Sequence, residues 1–192
     1  MPIFIDFEAT CWDKNEKNKR PHAEIIEIGA VATGKNLQKI GKFTAVIRPV
    51  IEPVLSDYCK ELTGLSQTDV ENGMDFNRAI DLFYQWIIQY KSSEDPTLYT
   101  WGDYDIFLLK KSLRKHKSKN KEFVNIIQKN GLINLQEKFM AFTALPSSSC
   151  NLAKALQIIG KNYSGTRHRS IDDAVNMIKL YKYLYKDLAS QN

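Results

Sequence analysis

The stretch Ile3-Phe4-Ile5-Asp6-Phe7-Glu8 decides the fold. In an extended chain successive side chains point to opposite faces. Asp6 and Glu8 therefore share one face, while Ile3, Ile5 and Phe7 take the other. The alternation marks a strand over residues 2–9. Its acids are the anomaly, because paired carboxylates on an apolar strand repel each other and resist leaving water. Two explanations stand at this point. Either the acids lie on the wet end of an edge strand, or a cation holds them together. Hard divalent ions such as Mg²⁺ take carboxylate oxygens and water, and two of them about 3.5–4 Å apart can clamp both ends of a phosphoryl displacement.

Outward from this strand, residues 11–22 are polar and read as a loop. Residues 24–33 and 42–48 read as two more strands, with Gly34-Lys35-Asn36 as the turn between them. A hairpin directly after a first strand predicts a sheet of mixed direction. Pro49 and Pro53 mark a loop, and residues 57–62 form a short helix closed by Gly64 in the C-cap position. Ala79, Ile80, Phe83 and Ile87 have helical spacing within 76–89, and a strand follows at 97–101. A further helix starts near Asp105, and Val124 to Ile127 continue an apolar face after the basic block. Residues 132–135 read as a short strand, and 136–142, 151–159 and 171–188 as helices. The pattern is α/β: a central mixed five-stranded sheet flanked by helices. The 192 residues fit one domain over 1–192.

Composition narrows the class. With 43% hydrophobic and 26% charged residues, the chain can build a packed core. No apolar run approaches the ~20 residues of a membrane span, and Asp6 and Glu8 disqualify the first apolar stretch as a signal peptide. Cys11, Cys59 and Cys150 are widely spaced and form no CxxC pair. This argues against a zinc site or a disulfide framework and fits a reducing cytoplasm. The net charge of +5 favours a polyanionic partner. Lys110 to Lys121 reads KKSLRKHKSKNK, without one acid. That block is either a solvated helix end and loop or a rim that tracks phosphates.

A second constellation lies near the C-terminus: His168-Arg169-Ser170-Ile171-Asp172-Asp173 leads into the last helix. Ser170 can serve as N-cap, with Asp173 completing a capping box. The helix's apolar stripe contains Ala174, Met177, Ile178, Tyr181, Leu184, Tyr185 and Leu188. At about 100° per residue, Asp172 falls nearly opposite that stripe and Asp173 at its margin. Asp173 can therefore reach the sheet, and Asp172 faces water. His168 precedes the helix, either as an ordinary loop histidine or as a base able to reach a substrate.

Taken together, DFEATC at Asp6–Cys11, WGDYD at Trp101–Asp105 and the HxxxxD of His168–Asp173 resemble the DEDDh 3′→5′ exonuclease superfamily. The DFEATC form is most similar to its Eri1-like and KapD-like exoribonuclease branch. The resemblance implies a ribonuclease H-like fold and metal ligation by Asp6, Glu8, Asp105 and Asp173. Asp105, ahead of an apolar turn, fits the second acid better than Asp103. His168 matches the general base. Two ions, Mg²⁺ with Mn²⁺ as a possible substitute, are implied. One, on Asp6, Glu8 and Asp173, acidifies the attacking water; the other, on Asp6, stabilises the leaving 3′ oxygen. His168 takes up the proton. Ala9 and Thr10, together with Thr63, Gly64 and Leu65, match segments that hold the terminal nucleotide, although Thr63-Gly64 also reads as a helix terminus and Leu65 as core. Glu27 reads as structural support, and Trp12, Trp86 and Trp101 as core or pocket wall. The expected partner is single-stranded or 3′-overhanging nucleic acid, RNA ahead of DNA, with no membrane role. An oligoribonuclease-like enzyme, a DNA-directed exonuclease and a non-catalytic binding module are the alternatives.

Overall fold

The computed structural model describes residues 1–16, 22–129, 131–144 and 150–189, with side chains as far as 185. The loop expected over 11–22 and the side chain of Leu188 therefore lie partly or wholly outside the described residues. Among the described residues, five strands form one sheet in the order β3-β2-β1-β4-β5. They are β1 Pro2–Ala9, β2 Ile25–Thr33, β3 Lys39–Val46, β4 Thr97–Thr100 and β5 Ile133–Asn134. β1, β2 and β3 are successive antiparallel neighbours, whereas β4 runs parallel to β1 and to β5. The sheet has the mixed direction that the early hairpin predicts.

Helices cover both faces: α1 Asp57–Thr63, α2 Gln67–Glu71, α3 Phe76–Ile88, α4 Asp103–Lys115, α5 Lys121–Lys129, α6 Leu135–Thr143, α7 Leu152–Ile158 and α8 Ser170–Ala189. The alternation of β1 separates two cores. Ile3, Ile5 and Phe7 pack with α3, α4 and α5 through Ile80, Phe83, Leu109 and Phe123. Phe4 packs on the opposite face with Tyr99, Phe139, Leu156, Met177 and Leu180, from β4, α6, α7 and α8. Asp6 and Glu8 share the face of Phe4. That face changes from fully buried phenylalanine to carboxylate within two residues.

β4 pairs only with the first half of β1, Pro2 to Phe4. Beyond it the chain turns at Gly102 (φ 100°), a conformation that suits glycine, and enters α4. The second half of β1 thus has a free edge, and the carboxylates lie where its neighbour leaves the sheet. Such a divergence of strands leaves a crevice for a ligand.

Three differences from the sequence reading have physical causes. Val124 to Ile127 do not extend α4. Lys117 adopts φ 46° just after it, and the apolar face resumes on a separate helix, α5. α2 was not anticipated because it is one short turn, built by a Ser66–Asp69 capping box. β3 begins three residues earlier than expected, since the turn at 34–37 is tight and Gly34 donates to Gln38 across it.

Candidate active site

The register of β1 on β2 sets Asp6 opposite Gly29 and Glu8 opposite Glu27. Gly29 is a packing requirement. A Cβ there would lie 2.2 Å from Ser170 C and Ile171 N, so the absence of a side chain lets the start of α8 settle on the sheet beside Asp6. Buried Glu27 secures that approach. Its carboxylate accepts from Arg169 Nη2 at 2.7 Å, Ser170 N at 2.9 Å and Ser170 Oγ at 2.8 Å. This corrects the reading of Ser170 as a side-chain N-cap, because its hydroxyl donates to Glu27 and is committed to tertiary anchoring.

With α8 so placed, Asp173 meets the strand. Asp6, Glu8 and Asp173 each offer a carboxylate oxygen, and these lie within 4.8 Å of one another. Asp105 approaches from α4. It is 6% exposed, is hydrogen-bonded by the Phe7 backbone at the free edge of β1, and its charge acts on Asp6. Asp103 is exposed and accepts from Asn134 Nδ2 at 3.0 Å, while Gly102 N donates to Asn134 Oδ1. It ties the start of α4 to that of α6.

Burial raises all four carboxylates, and repulsion within the cluster adds to it at Asp6, Glu8 and Asp105. Asp6 stands well above the ordinary carboxylate value, Glu8 is pushed up to about 9 and Asp105 to about 8. Asp173 is also raised by burial, against the opposing pull of the Tyr163 hydroxyl and of His168. Such a cluster favours either protons or a cation. Its donors are all carboxylate oxygens, the chemistry of a hard divalent ion.

The segment before α8 is held by that helix. Asp173 Oδ1 accepts from Tyr163 Oη at 2.9 Å, and Oδ2 accepts from His168 N at 3.1 Å. Fully buried Asn176 accepts from Ser164 N and donates to Ser164 O and Asp172 O. Lys179 Nζ donates to Asn162 O and Ser164 Oγ. Asp172 corrects the helical-wheel placement: it is half-buried and accepts from Thr166 N at 2.9 Å, because the loop folds back over the helix face that was expected to be wet. His168 itself is exposed, with φ 61°.

The remaining expected site residues lie at the end of β1 and around α1. Thr10 is 3% exposed. Its hydroxyl accepts from Glu24 N and its N–H donates to Glu24 O, so both groups join β1 to β2. Ala9 O accepts from Cys59 Sγ. Thr63 is buried and donates to Cys59 O, Leu65 packs with Ile26, Leu55 and Val70, and Gly64 is the exposed left-handed cap between them. Trp12 and Trp86 are buried and Trp101 is half-buried on Phe139. Cys11, Cys59 and Cys150 are free thiols. Gly29, Tyr163 and Asn176 were missed by the sequence reading. Only Gly29 carried a signal, as a lone glycine inside a strand.

The family pattern described as Exonuclease (RNase T) matches residues 3–181. The 3′-5′ exonuclease Snipper of Drosophila melanogaster is 33% identical over 96% of this chain and 69% of its own length. Human ERI1 exoribonuclease 2 is 29% identical over 96% of this chain, which spans only 28% of that longer protein. Among solved structures, the nuclease domain of 3′hExo, a DEDDh family member bound to rAMP, superposes with a TM-score of 0.84. The match is 26% identical and covers 97% of this chain and 92% of that one.

Proposed function

The chain belongs to the exonuclease (RNase T) family of DEDDh 3′→5′ exonucleases, and on that premise we propose that residues 1–192 act as one domain that removes nucleoside 5′-monophosphates from RNA 3′ ends. The observation that carries this reading is the convergence of Asp6, Glu8 and Asp173, with the His168 backbone bonded to Asp173. The names of its relatives favour RNA: human ERI1 exoribonuclease 2 is an exoribonuclease, and the 3′hExo domain was solved with rAMP.

The oxygen-only donor set fits a divalent metal, and Mg²⁺, with Mn²⁺ as a substitute, is the proposed occupant. Asp6, Glu8 and Asp173 would hold it, and Asp6 with Asp105 would serve a second ion. Bound ions would supply Lewis acidity and an activated water. The chain's own groups do the rest. Glu27, by holding Arg169 and Ser170, sets the spacing of Asp173 from the acids of β1. His168, exposed at the rim, accepts the proton of the attacking water, a task suited to an imidazole. Gly64, exposed between buried Thr63 and Leu65, with the backbone at Ala9 and Thr10, forms the wall that meets the terminal nucleotide. A 2′-hydroxyl contact there would distinguish RNA from DNA.

The test is digestion of 5′-labelled and 3′-labelled RNA and DNA with and without Mg²⁺, with sizing of the products. The expected outcome is a metal-dependent ladder from the 5′-labelled RNA and immediate mononucleotide release from the 3′-labelled RNA. Internal fragments from the first rounds, or equal digestion in EDTA, would overturn the reading; faster digestion of DNA would reassign the substrate.

A further inference from the structure

α4 does more than deliver Asp105. Phe107 is 57% exposed on the same helix, half a turn past that buried acid and on the outward face of the helix. By contrast, the exposed rings of Phe142 and Tyr183 pack on each other. A phenylalanine side chain left this open gives up stabilisation that burial would supply, and its face is available to a flat ligand.

The charge that follows is one-sided. From Ile106 through Lys121 there is no acid, and Lys110, Lys111, Arg114, Lys115, Lys117, Lys119 and Lys121 are cations. Lys111 is spent on Ala23 O at 3.1 Å, which holds α4 against the start of β2. Lys110, Arg114, Lys117 and Lys121 are exposed. Phe107, Lys110 and Arg114 are spaced i, i+3 and i+7, so they form a single stripe. With 1.5 Å of rise per residue, that stripe runs about 10 Å from the carboxylate end of the helix toward the basic turn.

We propose that this stripe of α4 is the track for the single-stranded nucleic acid lying 5′ of the terminal nucleotide, with a base stacked on Phe107 and phosphates on Lys110 and Arg114. The occupant is a single strand because only an unstacked base offers its face to a ring, and aromatic stacking with cationic backbone contacts is how such strands are held without sequence preference. The assignment rests on the nuclease reading of the carboxylate site, which lies at the other end of the helix. It accounts for the acid-free block, which the carboxylate chemistry leaves unused.

The experiment measures binding and turnover separately. Binding of a 5′-fluorescent ribo-oligonucleotide of about 24 nucleotides is followed by anisotropy in EDTA across a salt series. In parallel, kcat/KM is measured with Mg²⁺ on that substrate and on one of about three nucleotides. For Phe107→Ala, binding of the long oligonucleotide should weaken at least about fivefold, and Phe107→Tyr should restore it. For Lys110→Ala with Arg114→Ala, the slope of log affinity against log salt should fall by about 1.4. Turnover of the short substrate should fall less than that of the long one in every variant. Unaltered long-strand binding, or equal losses on both lengths, would overturn the track. Normal binding by the parent without any turnover would sink the nuclease reading and leave the track standing.

Discussion

Asp6 and His168 are both joined to Asp173, one through the carboxylate cluster and one through its backbone, but they are held by opposite means. Asp6 sits on the central strand between buried Ile5 and Phe7, and its partner across the ladder is fixed by backbone register. His168 is exposed on a left-handed backbone, and the segment before it is held by side chains of α8, chiefly Asp172, Asp173, Asn176 and Lys179. A strand position is maintained by many cooperative contacts. A loop position depends on a few hydrogen bonds, each worth about 1 kcal/mol and individually removable. The site thus joins a rigid half to a half whose geometry is open to small adjustment.

Asp173 belongs to both halves, so its replacement should cost most. For Asp173→Asn, kcat should fall more than about a thousandfold, at or beyond the cost of deleting one electrostatic stabiliser. The thermal midpoint should not fall, since one of four crowded charges is removed. A steady-state assay and a melting curve check both, and near-parent turnover would remove Asp173 from the site.

Gly29→Ala attacks the rigid half without touching an acid. Its new Cβ would collide with backbone of the first turn of α8, and that backbone cannot swing aside like a side chain. Overpacking of this kind costs about 1–3 kcal/mol, or roughly 2–4 °C of melting temperature per kcal/mol. Displacement of Asp173 by about 1 Å should cost turnover about a hundredfold. Normal turnover with a lowered midpoint would show that α8 is not positioned here.

Asn176→Ala is the matching test of the loop half. It leaves the Ser164 N–H and carbonyl without their side-chain partner. A drop in kcat of about tenfold is expected, from about 1–3 kcal/mol of lost hydrogen bonding, with Mn²⁺ affinity unchanged by calorimetry. A change in metal affinity instead would place the loop's influence on Asp173 rather than on His168.

The last effect is on stability alone and leaves catalysis aside. Folding raises Glu8 from 4.5 to about 9, so the folded state binds its proton more tightly than the unfolded chain does. Its contribution is greatest below about pH 4.5 and is lost as pH rises through about 9. Metal-free Glu8→Gln should therefore melt higher than the parent at pH 9, and the gap should narrow toward pH 5. Mg²⁺ should raise the parent more than the variant. A parent whose metal-free midpoint does not decline over this range would show that the carboxylates do not repel as described.

Much of the frame was legible because it is written at short range. Alternation in Ile3–Glu8, helical spacing in 76–89 and the glycine after Thr63 each concern a few neighbouring residues. The site was half legible. Asp6 and Glu8 were placed on one face by period alone, and Asp173 was oriented by its helical stripe. Ser170 and Asp172 were misread because capping and solvent exposure were judged from the helix alone. Their partners, Glu27 and Thr166, come from a distant strand and from a loop that folds back.

The sequence by itself determined an acid-bearing first strand, a mixed sheet, an α/β order of elements and the inward lean of Asp173. Those follow from backbone periodicity, which acts residue by residue. Only the tertiary structure decided that Gly29 admits α8, that Asp105 rather than Asp103 is buried beside β1, and that Tyr163 and Asn176 hold the segment before His168. These depend on groups far apart in the chain meeting at atomic distances, and on buried polar atoms each requiring a partner.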